Sequence, residues 1–144
     1  MGKLLDIANK LSGLNEESIN EAALKSFSDN HRAATDLNTD QLYQGKQANG
    51  GFLPDYSQRS VTVFGKPPGP MRLFETGAFY RGFFVKVDKT KAVFGSNDSK
   101  TEKLTKSFGE DEIFGLTKEN LTDFSRNYVL PDLQKFVRSF FQLR

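Results

Sequence analysis

Glycine and proline crowd residues 45–70 of this 144-residue chain. Gly45, Gly50, Gly51, Gly65 and Gly69 stand there with Pro54, Pro67, Pro68 and Pro70. Proline fixes its own φ and has no N–H to give a ladder, so neither a long helix nor a central strand runs through this stretch. It divides the sequence into a helical N-terminal region (1–45), a region of strands and a proline loop (46–98), and a region of C-terminal helices (99–144). The length is that of one ordinary domain, and the three regions are expected to form a single domain, 1–144.

Before the divide, residues 14–37 read as one helix. Asn15 is a good N-cap, Glu16 and Glu17 occupy the first turn, and Leu14 is placed to staple onto Ile19. Ile19, Ala23, Phe27, Asn30, Ala34 and Leu37 recur at helical spacing. Residues 3–11 read as a shorter helix ending near Gly13. Asn38 or Thr39 reads as the cap of a short turn containing Leu42 and Tyr43.

After it, RSVTVFG (59–65) alternates and is β-branched, the pattern of a strand. KPPGP (66–70) breaks it and reads as an exposed hairpin tip. FFVKVD and KAVFGSND are strand-like runs separated by Lys89-Thr90, which makes them a hairpin. Thr76 is set to cap a short turn, AFYRG, and Gly77 lets the backbone take φ > 0 or pass close to another element. Phe79, Phe83 and Val85 then point to the core, with Phe74 beside them. Ser99 and Glu102 match a capping box for a helix ending at Gly109. Thr117 caps the next, with Leu116 placed to staple onto Leu121. Pro131 suits the first turn of the last, which carries Leu133, Phe136, Val137, Phe140 and Phe141 on one face. Helix, strands, helices predicts an α+β fold: an N-terminal helix, a small antiparallel sheet with a hairpin, and C-terminal helices packed on it.

The inventory for chemistry is thin. The sequence has no Cys and one His, His31, so disulfides, thiolate metal sites and a paired-His site are excluded. Glu110-Asp111-Glu112 lacks the alternating spacing of a calcium loop and reads as a solvated turn. Gly65–Pro70 lacks P-loop spacing, and its prolines remove the N–H groups that would cradle phosphate. No Ser sits in a glycine-flanked elbow. No enzymatic activity, cofactor or metal is expected.

Net charge is only +2, though residues 51–98 hold seven basic against four acidic residues. Fourteen Phe allow a sizeable core despite a hydrophobic content of 37%. MGKLLDIANKLSG has no apolar run of signal-peptide length, and no stretch reaches the length of a bilayer span, so a protein used without export and without a membrane is expected.

Leu73-Phe74-Glu75-Thr76-Gly77-Ala78-Phe79 resembles the Leu-x-Asp-Thr-Gly-x-Leu/Phe pattern of tailed-phage virion morphogenesis proteins, the small head-to-tail joining and tail-completion proteins. Glu75 stands in place of the Asp, and Gly82 where a Ser often follows. Gln41–Gly45 closes a helical N-terminus, and Leu53–Ser57 resembles the G-x-x-x-x-x-Y-S lead-in to the first strand of such proteins. Residues 108–117 are similar to a segment of phage proteins of Bacteroidetes type. The resemblance spans about residues 36–135.

It implies a non-enzymatic virion protein without cofactor, assembled in the host cytoplasm, forming a homo-oligomeric ring at the head-to-tail connector (neck) or tail end. It further implies docking to connector, portal or tail proteins and non-specific contact with DNA in the lumen. The expected contact residues are Lys66, Pro67, Pro68, Pro70 and Arg72 of the loop, Phe52 and Tyr56 of the link, and Phe140 and Phe141 of the last helix. A small nucleic-acid-binding or host-interaction module is the alternative, with Arg59, Lys66, Arg72, Arg81, Lys86, Lys89 and Lys91 lying among aromatics.

Overall fold

A computed structural model describes residues 14–141; the segment 3–11 read as a helix lies outside them. The fold is α+β, as the sequence predicts. Helices α1 (Glu16–Asp29) and α2 (His31–Tyr43) lead into a long excursion containing α3 (Gln58–Phe64). The one-turn helix α4 (Ala78–Arg81) precedes β1 (Phe83–Val87) and β2 (Ala92–Ser96). Then come α5 (Thr101–Phe108), the single turn α6 (Glu110–Ile113), α7 (Lys118–Phe124) and α8 (Leu130–Phe141).

Asn15 caps α1 as expected: its Oδ1 accepts from Ser18 N–H at 2.9 Å while Ser18 Oγ accepts from Asn15 N–H at 3.0 Å. The expected single helix is instead two, broken at Asn30, whose backbone leaves the helical region. Its side chain explains the break. The Asn30 amide donates to the Ser26 carbonyl at 2.9 Å and to Asp132 at 3.0 Å. Asn competes with helix in this way wherever a side-chain bond offers an alternative. Ser26, almost fully buried, donates to the same carboxylate at 2.6 Å and so ties α1 to α8.

The expected hairpin forms, with Val87 opposite Ala92 and Phe83 opposite Ser96. Lys89-Thr90 is not a favoured turn pair, but Asp88 rescues it by accepting from Thr90 N–H at 2.7 Å and Lys91 N–H at 2.9 Å. A lone hairpin is marginal in water; here β1 lies against α1 and α2.

Two clusters form the core. One gathers Leu42, Leu53, Phe79 and Ile113, with Phe83 and Leu104 packed on it. The other gathers Ala34, Phe124 and Val129, with Phe27, Val85, Phe94 and Leu133 around it. The Phe27 and Phe124 ring centres stand 4.6 Å apart. Helix α2 serves both, through Leu42 and Ala34.

Between the clusters α2 carries buried amides. Asn38 is neither a cap nor near a helix end; it is fully buried in mid-helix. Its amide donates to Ile113 O at 3.0 Å and its oxygen accepts from Gly115 N–H at 2.9 Å. Gln41 repeats the pattern, donating to Gly115 O at 3.0 Å and accepting from Thr117 N–H and Asn120 Nδ2, each at 2.8 Å. Residues 113–117 are thus hydrogen-bonded to side chains as a strand would be to a neighbour.

Three other expectations are corrected. RSVTVFG is a helix, not a strand: Ser57 Oγ accepts from Ser60 N–H at 3.1 Å, and Gly65, at φ 69°, ends it. No neighbouring strand offers a ladder there among the described residues, so local capping decides. Ser99 and Glu102 form no capping box; α5 starts at Thr101 beside Lys100, and Glu102 pairs with Lys106 at 3.0 Å. Pro131 does stand in the first turn of α8, but α8 is not separate. A π-helical turn, Ser125–Val129, joins it to α7, and Leu130 N–H bonds back to Ser125 O. The wide turn absorbs the proline without ending the helix.

Asn38→Ala leaves the buried Ile113 carbonyl and the half-buried Gly115 amide without their partners, and we expect a loss of about 3 kcal/mol in urea unfolding. Asn38→Asp does not rescue it, because a carboxylate faces the Ile113 carbonyl oxygen with no donor. The Ser26 hydroxyl holds Asp132 below the ordinary aspartate value of 3.8; partial burial opposes this, and the Asn30 amide assists. Its contribution is therefore complete above that value and is lost as pH falls through the lower, folded one. Asp132→Asn flattens this acid-side decline, which urea midpoints between pH 7 and 3 read directly.

Candidate functional site

Residues 56–69 form an arm. Tyr56 N–H bonds to Gly69 O at 2.9 Å, Met71 N–H bonds to Pro54 O at 2.8 Å, and Asp55 bridges Pro70, so the chain returns to within one residue of where it left. Within the arm, α3 has no buried residue. Val63 and Phe64 are 64% and 66% exposed. An adjacent apolar pair this open on a helix with no buried residue is unusual, since exposed apolar residues are normally scattered singly.

The base is built tightly. Gly45, at φ 77°, is buried with Pro70 against the position a Cβ would take. Both main-chain groups of Arg72 are held by tyrosines: Tyr56 Oη accepts from its N–H at 3.1 Å, and Tyr80 Oη donates to its carbonyl. Burial pushes the Tyr80 phenol well above its ordinary value, so it remains a donor. The Arg72 guanidinium lies 4.8 Å from the Tyr43 ring centre. Leu73 follows in the left-handed region at φ 54°, the one described non-glycine residue there. Such a residue costs about 1–2 kcal/mol and persists only where its surroundings enforce it.

Beyond Leu73 comes the Thr-Gly corner. Gly77 takes φ 83°, and a Cβ there would come within 2.9 Å of Arg81 and 3.1 Å of Phe74, meeting both sequence expectations at once. Thr76 is not the cap expected of it: Gly77 holds the N-cap position with no side-chain bond, and Thr76 Oγ1 accepts from Ala78 N–H at 3.3 Å from one residue earlier. Phe79 is buried; Phe74 stays largely exposed, edge-on to Tyr43 and Tyr80. Glu75 reaches Lys100 at 3.0 Å and Lys66 at 3.9 Å. The Lys100 ammonium is the main cause of its carboxyl lying below the ordinary glutamate range, with Lys66 adding to it.

The structure therefore brings together Tyr56, Lys66, Pro70 and Arg72, while Pro67 and Pro68 stand exposed on the return of the arm. The KPPGP segment is that return leg rather than a hairpin tip. Phe52 is 61% exposed, paired across an isolated bridge with Lys46. Phe140 and Phe141 pack on each other on α8 at 5.4 Å and are not among the residues at the arm's base. Sequence reasoning missed Val63 and Phe64. The signal that finds them is the Ser57-to-Gly65 capping pair, which turns an alternating run into a short helix with no buried residue.

His31 opens α2, and Glu110–Glu112 lie in the single turn α6. Among the described residues, no three His, Asp or Glu side chains converge to hold an ion, and no helix is long and apolar enough to cross a membrane. No protein-family model, curated protein or solved structure matches this chain.

Gly45→Ala strains the left-handed backbone and drives a methyl group into Pro70. We expect a loss of about 2 kcal/mol. Hydrogen exchange tests the location of the damage, because protection falls at the Tyr56 and Met71 amides that close the arm.

Proposed function

We propose that this chain is a structural subunit that assembles with copies of itself through its arm, as a ring component at the neck or tail end of a tailed-phage virion. The observation that carries the self-assembly reading is α3, a capped helix with no buried residue and two adjacent open apolar side chains. An arm of this kind lowers its free energy by inserting Val63 and Phe64 into a neighbour. Contact between two different surface patches is head-to-tail, and such contacts close into rings where the rotation permits.

The virion assignment draws on the resemblance at residues 73–79 and its order relative to the link and the proline loop. Pro67 and Pro68 stiffen the arm's return, which limits the entropy lost on docking. Arg59 and Lys66 give the arm positive charge, which suits an acidic neighbour or DNA in a lumen. Adjacent connector, portal or tail proteins are the further partners of the same surface.

The test is light scattering after size exclusion, with the 16.2 kDa monomer mass as reference. The expected result is a closed oligomer. Val63→Ser with Phe64→Ser shifts it to monomer, weakening association about thirtyfold or more, as loss of a buried aromatic anchor does. A monomer at all concentrations, absent from virions, overturns the reading. Tight DNA binding that falls steeply with salt favours the nucleic-acid-binding alternative.

A further inference from the structure

A cleft of about 300 Å³ opens at the base of the arm. Its floor is apolar, made by Met71, Leu73, Phe79 and Leu104. Two stretches far apart in sequence wall it: the arm's return with the Thr-Gly corner that follows it, and the first turn of α5 with Lys100 before it. Lys66, Lys100 and Lys103 stand at its rim against one acid, Glu75. Lys100 and Lys103 are exposed. An apolar floor under a rim of surplus positive charge defines a ligand with an uncharged body and an anionic end. The rim already holds a carboxylate: Glu75 spans Lys66 and Lys100 from the protein's own side. The volume lies at the small end of ligand pockets, enough for one short chain or ring.

We propose that this cleft binds a small amphipathic carboxylic acid, its apolar body on Met71, Leu73, Phe79 and Leu104 and its carboxylate among the rim lysines. Glu75 is then a competitor as well as a clasp. It occupies two of the three lysines when the cleft is empty and gives them up when a ligand carboxylate arrives. The inference does not rest on self-assembly, since it uses neither Val63 nor Phe64; Lys66 alone belongs to both surfaces.

Titration of the full chain with sodium octanoate, followed by amide NMR shifts, tests it. Shifts are expected at Gly77, Ala78 and Leu104 and should saturate. Octanol, with the same chain and no charge, is expected to bind several-fold more weakly. Lys100→Gln with Lys103→Gln should weaken octanoate about fivefold and leave octanol unchanged, the scale of exposed ion pairs. Glu75→Gln carries the sharpest sign: removing the competitor tightens octanoate about two- to fivefold, whereas a residue that merely braced the cleft would weaken it on removal. The spectra of the unliganded variants report that the fold is kept. Octanol binding as tightly as octanoate overturns the proposal on the unaltered protein, as do scattered, non-saturating shifts. Weaker octanoate binding by Glu75→Gln overturns it too.

Discussion

Asn38 and Gln41 tie the C-terminal helices to α2 through a short link that has no regular structure of its own. The segment from Ile113 to Thr117 belongs to no strand, yet the Ile113 and Gly115 carbonyls and the Gly115 and Thr117 amides face the interior and need partners. Backbone groups left unpaired there would cost more than the packing of Ile113 gains. Two side chains on α2, one turn apart, meet all four. That lets Ile113 enter one core cluster and Leu116 approach the other, so the C-terminal helices are held to α2 by hydrogen bonds as well as by apolar contact. The hairpin depends on the same arrangement, because β1 rests on α2 and α1 rather than on a larger sheet.

Elements with local causes were legible in the sequence. The Asn15 cap, the Thr117 cap, the hairpin and the Thr-Gly corner are each decided by residues within a few positions of one another. What could not be read depends on distant partners. Asn30 breaks a helix because Asp132 stands opposite it, and nothing near Asn30 announces that. Asn38 and Gln41 look like solvent-facing polar residues until their spacing from Ala34 is noticed: positions 34, 38, 41 and 42 share one face, so polar residues on an otherwise apolar stripe were the available signal. RSVTVFG failed for another reason. Seven residues of β-branched alternation fit a strand or a short helix equally, and Ser57 and Gly65 at its ends outweigh the alternation when no strand lies alongside. Pro131 marked a helix start correctly but hid the π turn that carries α7 into α8. At the candidate site, the sequence singles out Tyr56, Lys66, Pro70 and Arg72 only as contact residues, and the cleft is not legible in it, because its wall at Lys100–Leu104 lies about thirty residues further along.

The aromatic residues divide by role. Phe79, Phe83 and Phe114 stack edge-on or tilted within 5–6 Å in the interior. Tyr43, Phe52, Phe64 and Phe74 face outward, with the aliphatic Val63 beside Phe64, and fall between residues 43 and 74; Tyr128 on the π-helical turn is the further exposed aromatic. A core of Phe residues supplies area cheaply in residue count, which frees this middle stretch from contributing heavily to stability. The stretch still contributes Leu53 to the core and hangs its arm from Gly45 and Pro70. Open apolar side chains there lie close to a rigid foundation, the arrangement that makes an anchor effective on docking, since little further ordering is required.

Arm and cleft meet at Leu73. Its left-handed backbone is unfavourable alone, and two tyrosine hydroxyls enforce it by gripping Arg72 from both sides. One tyrosine comes from the arm's start and the other from α4, so the grip exists only when the arm is closed on the corner. Leu73 in turn forms part of the cleft's floor, and Lys66 of the arm part of its rim. A displacement of the arm large enough to break the Tyr56 bond would release Leu73 toward the ordinary region and carry Lys66 away from Glu75. The two surfaces therefore share Leu73 and Lys66, so an arm displaced from its seat would alter both the floor and the rim of the cleft.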